Sequence, residues 1–410
     1  MPVARRGSST PKTSIAENGA RIDVWNRKNR IGDDRSGTFR SSLLAARYRK
    51  IMTAASVSTQ LETISTPKPS DRYPMKQFLV ALSLALPLLA ERKPGSPLDH
   101  LPNTMQVLTH FGERADFSPD NARVAFMAKS FGDAFVIDLK TRAIRCLTCG
   151  VPGAAFLRIM HLSDGNYILI GAERFSDIRT SRRRDNELWF LSKESGSKPV
   201  KLGQKMSEGA AISKKQLKMS WSETPAQFPD LPTGYSRIVV ADLQYAAGKL
   251  TIANKKTVFE SKDPSCVAES QDFYGNDEKL TFTCYRPKGL GGVMGLDLKT
   301  GKATDFSQAD SIYNEVEGIF PDGKYTLVES SKQVESLGGQ HGSHEIDIWK
   351  LHMDGTGKDF VRVTNFNDYE GWKASNPVVS TDGRHMAFQV ARTADEAGVG
   401  YGLVLMTLPK

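Results

Sequence analysis

From residue 105 onward, apolar and polar positions alternate in short runs separated by polar turns. The clearest runs are "ADFSPDNARVAFMA" from Ala115, "IMHLSDGNYILI" from Ile159, "EGIFPDGKYTLVE" from Glu317 and "NPVVSTDGRHMAF" from Asn376. Period-two alternation gives a strand one buried face, and Asp-Gly supplies the positive φ angles of a tight hairpin turn. Each hairpin is followed by another alternating run: "DAFVIDLKT", "ELWFLSKES", "SRIVVADLQ", "GGVMGLDLKT", "HEIDIWKLHMDGTG" and "YGLVLMTLP". Several continue into a further short strand such as "AIRCLTCG" or "FVRVTNF".

The turns are anchored at Ser118, Ser163, Ser213, Tyr274, Phe320 and Ser380, with separations of 45, 50, 61, 46 and 60 residues. Four short strands per repeat, six times over and with hardly any helical periodicity, predict an all-β fold: a six-bladed β-propeller. Copies three and four are degenerate, with "SKKQ" and "YGNDEK" in place of the turn. The inserts "RFSDIRTSRRRDN" and "SETPAQFPDLPTGY" read as loops projecting from one face.

The chain's ends predict how the ring closes. The last copy stops at its third strand, "YGLVLMTLPK", whereas "MQVLTHF" near residue 105 parallels the outer strand "FVRVTNF" of copy five. The N-terminal strand Met105 to Thr109 is therefore expected to complete the sixth blade, which removes an unpaired edge.

Charge changes the picture only upstream. The formal net charge is +9, but residues 1–74 carry 14 Lys/Arg against 6 Asp/Glu, and residues 91–410 hold 40 of each sign. A balanced body gives no reason to expect a nucleic-acid partner. The leader 1–74 has the composition of a disordered segment. It runs into "MKQFLVALSLALPLLA", residues 75–90, whose apolar stretch is too short to span a bilayer but matches the core of a secretory signal. This predicts a secreted or periplasmic protein without a stable transmembrane anchor, translation starting at Met75, and a propeller over 91–410.

Cys146, Cys149, Cys266 and Cys284 form an even set, which in an exported chain favours disulfides and allows three connectivities. Cys266 and Cys284 flank a predicted hairpin, so a cross-strand bond fits them. Cys146-Leu-Thr-Cys149 is a lone C-x-x-C with no second ligand pair for zinc and no strand-to-helix context for redox work. It reads as a local structural disulfide or two quiet thiols.

"DFSPDNARVAF", "FPDGKYTLV" and "NPVVSTDGRHMAF", coupled to "DIWKLHMDGTG…VRVTNF", resemble TolB-type, WD-like propeller repeats over roughly residues 100–410. "YNEVEGIFPDGKYTLVE" and "GGQHGSHEIDIWKLHMDGTG" further resemble an exported TolB-like group often labelled after a saxitoxin-biosynthesis-cluster protein, a label that implies no established reaction. The resemblance implies a six-bladed ring and, from TolB, a protein-binding role; no candidate for TolB's N-terminal α/β domain is visible. A G-x-S-x-G elbow is absent, which disfavours serine hydrolysis.

Propeller ligands gather where the inner strands meet. The residues preceding each turn anchor are Glu113, Arg114 and Asp116; Arg158 and His161; Glu208; Glu269 and Gln271; Asn314, Glu315 and Glu317; and Glu370, Lys373 and Asn376. Carboxylates converging on one axis repel one another unless a cation, Arg158 or Lys373 neutralises them. The expected ligand-binding set at the channel mouth is Arg158, Glu208, Glu269, Glu315, Glu317, His341, Glu370, Lys373 and Asn376. The glycine-rich loop "GGQHGSHEIDIW" offers His341 and His344, and His341 with Glu317 is the candidate metal pair. The bland alternative is a set of solvated acids and inter-blade hydrogen-bond partners. Trp221 and Trp372 are the candidate stacking platforms for a flat ligand, while Trp189 and Trp349 fit packing between blades. These features predict a monomeric binding module for a protein or a polar small molecule. The alternative is a lyase or hydrolase acting on carbohydrate or a secondary metabolite, with a divalent cation as cofactor.

Overall fold

The computed structural model describes residues 91–153, 155–395 and 398–409; the leader 1–74 and the signal-like segment 75–90 lie outside them. The strands assemble into six four-stranded antiparallel sheets, and the innermost strands touch around a common axis. The fold is a six-bladed β-propeller, as the repeat predicts. From the axis outward, blade 1 uses Glu113–Phe117, Arg123–Met127, Ala134–Asp138 and Ile144–Cys146. The inner strands of blades 2 to 6 are Phe156–His161, Ala210–Ile212, Val267–Tyr274, Asn314–Ile319 and Trp372–Val379.

The repeated turn is held by one device. In blade 6 the Ser380 hydroxyl donates to Asp382 Oδ1 (2.6 Å), which also accepts Arg384 N–H (3.1 Å), while Ser380 Oγ accepts His385 N–H (2.9 Å). Ser118, Asp120, Ala122 and Arg123 repeat the pattern in blade 1. Gly383 and Asn121 carry the positive φ angles, 70° and 58°, that such turns require. In the degenerate third copy Ser213 keeps its place but finds its acid across the blade boundary, at Asp277 Oδ2 (2.6 Å).

Packing is between blades rather than within them. Phe117, Val124 and Phe126 of blade 1 meet Ala387, Leu403 and Leu405 of blade 6, and Ile168 and Leu188 of blade 2 meet Trp221 and Val239 of blade 3. This is why each repeat needs its neighbours to bury its apolar face. The ring closes as expected: Met105–Thr109 pairs with Leu403–Thr407, opposing Met105 to Met406 and Val107 to Val404.

Both cysteine pairs are disulfides, Cys146–Cys149 and Cys266–Cys284, and the second bridges adjacent strands of blade 4. The two expected stacking platforms are instead core. Trp221 is fully buried and donates its indole N–H to Glu223 Oε1 (3.0 Å); Trp372 donates to Gly95 O (2.9 Å) beneath the Arg392 guanidinium. Trp221 lies inside the strand Lys218–Glu223, so alternation turns its ring into the blade interface.

Candidate functional site

Glu315 and Glu329 are opposed across the first hairpin of blade 5, and Glu317 follows Glu315 by two residues. Strand pleating therefore points all three carboxylates the same way. Their oxygens lie within 4.8 Å of one another. Tyr285 donates to Glu315 Oε1 (2.5 Å) and Tyr313 to its other oxygen. Asn376, whose backbone is left-handed at φ 46°, donates its side-chain amide to Glu317 Oε1 (3.2 Å) and Glu329 Oε1 (3.0 Å).

Such crowding disfavours ionisation. Burial, then repulsion from Glu315, pushes Glu329 up to about 8. Burial followed by the charge of Glu315 holds both Glu317 and Glu269 well above the usual carboxylate range. Burial likewise raises the Tyr285 and Tyr313 phenols well above their usual value, so they act as neutral donors.

A second acid nearby is treated in the opposite way. Glu208 accepts Arg114 Nη2 (2.5 Å), Arg182 Nε (2.7 Å) and Arg182 Nη2 (2.6 Å). Burial alone would raise it, but the two guanidiniums outweigh burial and hold it down at about 2. Arg158 lies 4.0 Å from Glu317 Oε2, and Lys373 donates to Ser343 O (2.9 Å) in the loop over the strand starts. Burial lowers the Lys373 ammonium from its usual value.

At the strand ends, Lys214 Nζ donates to both oxygens of Asp116 (2.7 and 2.9 Å), and His161 contacts Asp116 through its backbone N–H (2.7 Å) and Nδ1 (2.9 Å). Burial works against the Asp116 charge, yet Lys214 and His161 bring it to about 2. Asp272, with only Ile319 N–H at 3.2 Å, is driven by burial to about 7. A cavity of about 30 Å³ lies among Asp116, Arg158, Lys214, Asp272 and Glu317, room for a water or two.

The structure brings Arg158, Glu208, Glu269, Glu315, Glu317, Lys373 and Asn376 to the channel wall or its rim. It does not bring His341 to Glu317: His341 Nδ1 faces Ser331 Oγ (3.0 Å), and the carboxylates grouped with Glu317 are Glu315 and Glu329. His344 is tied to Thr393 O (2.8 Å). Glu370 is exposed, its backbone N–H bound to Lys93 O (2.9 Å), because the chain turns into the inner strand only after Gly371. Arg182, Lys214, Tyr285, Tyr313 and Glu329 belong to the site but escape the repeat pattern. They come from an insert (Arg182), a degenerate turn (Lys214), second strands (Tyr285 and Glu329) and the residue just ahead of an inner strand (Tyr313).

Among the described residues the wall includes the acids Glu113, Asp116, Glu208, Glu269, Asp272, Glu315, Glu317 and Glu329 and the cations Arg114, Arg158, Arg182, Lys214 and Lys373. The excess acidity is balanced by protons or by a bound cation. The all-oxygen set Glu315, Glu317 and Glu329 suits a hard ion such as Ca²⁺ or Mg²⁺ rather than zinc. Tyr285, Tyr313 and Asn376 already occupy both oxygens of Glu315 and one each of Glu317 and Glu329. The second oxygens of Glu317 and Glu329 accept no hydrogen bond among the described residues, which leaves acceptors for an ammonium or a partly hydrated ion.

No family model matches the chain, and no curated protein matches it. Similar solved structures include TolB from Acinetobacter baumannii, with 14% identity, TM-score 0.40, and coverage of 70% of this chain and 66% of that one. A gluconolactonase from Xanthomonas campestris has 10% identity and TM-score 0.49, covering 74% and 89%. A calcium-binding protein, regucalcin, from Agrobacterium tumefaciens has 14% identity and TM-score 0.41, covering 73% and 92%. These likenesses concern the ring of blades; the fold rests on the six sheets and their closing strand, which make this chain a six-bladed β-propeller.

Proposed function

We propose that this protein is an exported, monomeric binding module whose propeller channel takes a polar small molecule bearing a cationic group. The observation that carries the reading is the trio Glu315, Glu317 and Glu329, whose oxygens lie within 4.8 Å of one another in a wall with more acids than bases. A ligand ammonium placed there replaces the protons that burial imposes, and Arg158 and Lys373 stand ready for an anionic group on the same molecule. Export is supported by the two disulfides, which persist in oxidising compartments. No helix among the described residues is long and apolar enough to cross a membrane.

The test is a thermal-shift panel of diamines, amino acids, Ca²⁺ and Mg²⁺ at pH 8 on the wild type and on the Glu317→Gln/Glu329→Gln double variant. A ligand at a hundred times its Kd stabilises by about 2.7 kcal/mol. At least one member should raise the wild-type Tm and leave the variant unmoved; equal responses throughout would sink the proposal.

The second reading is a divalent-cation-dependent lyase or hydrolase on carbohydrate or a secondary metabolite. Asp272 at about 7 and Glu329 at about 8 favour it, because proton-transfer groups work best near the ambient pH. Turnover of a glycan panel that is abolished by chelation and by Glu329→Gln would replace the binding reading with this one.

A further inference from the structure

We infer that Cys146–Cys149 is a thiol–disulfide exchange site open to external thiols, while Cys266–Cys284 is a structural bond. The two disulfides differ in how far solvent reaches their more open sulfur. Cys149 is exposed, at the surface end of the outer strand of blade 1, and Cys146 is half-buried at the end of Ile144–Cys146. Cys284 is buried, 5% exposed, within the apolar layer formed by Phe273, Leu280, Phe282 and Leu296, and its bond ties two paired strands. A nucleophile therefore reaches the exposed Cys149 Sγ from solvent, but meets packed side chains at Cys284 and, at Cys266, a half-buried residue packed against the same layer.

The backbone supplies the second element. The Cys149 N–H points at Cys146 Sγ at 3.0 Å, so negative charge on Cys146 finds a donor already in place. An external thiolate attacks Cys149 Sγ; the S–S bond breaks and its electron pair leaves on Cys146, beside that N–H. The product is a mixed disulfide at Cys149 and a Cys146 thiolate. A second external thiolate then attacks the mixed disulfide and releases Cys149 as a thiolate. The protein pair has gained two electrons, and the two external thiols leave as a disulfide.

Asp133 restrains the exchange. Its carboxylate lies within 4.8 Å of both sulfurs and is held there by Thr148 Oγ1 (2.8 Å), which itself accepts Ala134 N–H (2.9 Å). A fixed negative charge opposes thiolate formation and so slows the leaving of Cys146. The fold does not depend on the bond. It joins residues only three positions apart, a loop too small to constrain the unfolded chain as much as the 18-position Cys266–Cys284 bridge does. Reduction is thus expected to be local, leaving the blade 1 sheet in place.

The experiment equilibrates the purified full chain with graded ratios of reduced to oxidised glutathione under native conditions, alkylates free thiols and reads each peptide by mass spectrometry. The Cys146/Cys149 peptide should become doubly alkylated while Cys266 and Cys284 remain bonded and the Tm stays within a few degrees. Loss of both bonds together, or of Cys266–Cys284 first, overturns the inference. The direction of attack is checked with Cys146→Ser and Cys149→Ser. Oxidised glutathione should form an adduct on the lone Cys149 about tenfold faster than on the lone Cys146, because only the former is exposed. Equal rates would remove the assigned order. Asp133→Asn, which keeps an acceptor for Thr148, should speed reduction severalfold at pH 7, and an unchanged rate would show that Asp133 takes no part.

Discussion

Asn376 binds Glu329 twice, through its backbone N–H (2.5 Å) and its side-chain amide (3.0 Å), and so ties blade 6 to blade 5 across the channel wall. The geometry needs the left-handed φ of 46° at Asn376, a conformation asparagine adopts more readily than most residues. Asn376→Asp keeps the shape but sets a fourth carboxylate against Glu317 and Glu329. The variant should melt close to wild type at pH 5, where the acids are protonated, and lose about 1–3 kcal/mol at pH 8. Melting curves at the two pH values decide it; equal losses at both would mean that the amide matters only as a packing group.

The channel acids give stability a two-sided pH dependence. Glu329 and Asp272 titrate at about 8 and about 7 in the folded chain, above their ordinary values of 4.5 and 3.8. The folded state therefore holds more protons than the unfolded one between those limits. Their contribution is complete below about pH 4 and is lost as pH rises through 7 and 8. Glu208 and Asp116 are held at about 2, so their contribution is present above about pH 4.5 and lost as pH falls toward 2. The Tm of the ligand-free protein should peak at about pH 4–5 and fall toward pH 9, as the unfolding free energy changes by up to about 1.4 kcal/mol per pH unit for each proton. Glu329→Gln should flatten the alkaline limb. A wild-type Tm that is level from pH 5 to 9 would contradict the buried-acid account.

Most of the ring and about half of the site were legible in the residues. Turn anchors such as Ser118 and Ser380 repeat their own hydrogen bonds, and Glu113, Glu208, Glu269 and Glu315 each sit five positions before an anchor, so repetition exposes them. Second strands offer no such register. Opposite the inner-strand residues five before an anchor stand Met127, Ile170, Thr283 and Glu329, four unrelated residue types, so nothing flags Glu329 as a channel group. Trp221 misleads for a related reason. It precedes an insert and looks loop-bound, yet its strand continues to Glu223 and buries the ring. His341 misleads because a glycine-rich loop has no period from which a side-chain direction follows.

The closing strand should control cooperativity. Leu108 is 7% exposed and packs with Phe117, Phe126 and Leu405 at the junction of blades 1 and 6. Leu108→Ala should cost about 2–4 kcal/mol, as buried Leu truncations do. Deleting residues 101–110 should go further, leaving Leu403–Thr407 with an unpaired edge. The deletion should lower the Tm strongly and broaden denaturant unfolding; an unchanged Tm would show that the ring does not need this strand.

Arg182 allows the sharpest test of the site's least predictable member. It lies in the arginine-rich turn Ser181–Asp185, where its neighbours Arg183 and Arg184 are exposed. Only Arg182 turns inward, and it reaches Glu208 with two hydrogen bonds alongside Arg114. Arg182→Ala leaves Glu208 buried with one of its three donors and should destabilise by about 1–3 kcal/mol at pH 7. Arg183→Ala and Arg184→Ala should stay within about 0.5 kcal/mol of wild type, as surface changes do. The acid limb of the stability profile should also move to higher pH in Arg182→Ala, because one of the two charges holding Glu208 low is gone. Arg182→Lys restores a charge without the planar fork and should recover the acid limb more fully than the stability at pH 7. If all three alanine variants behave alike, the insert is a solvated loop and Glu208 relies on Arg114 alone.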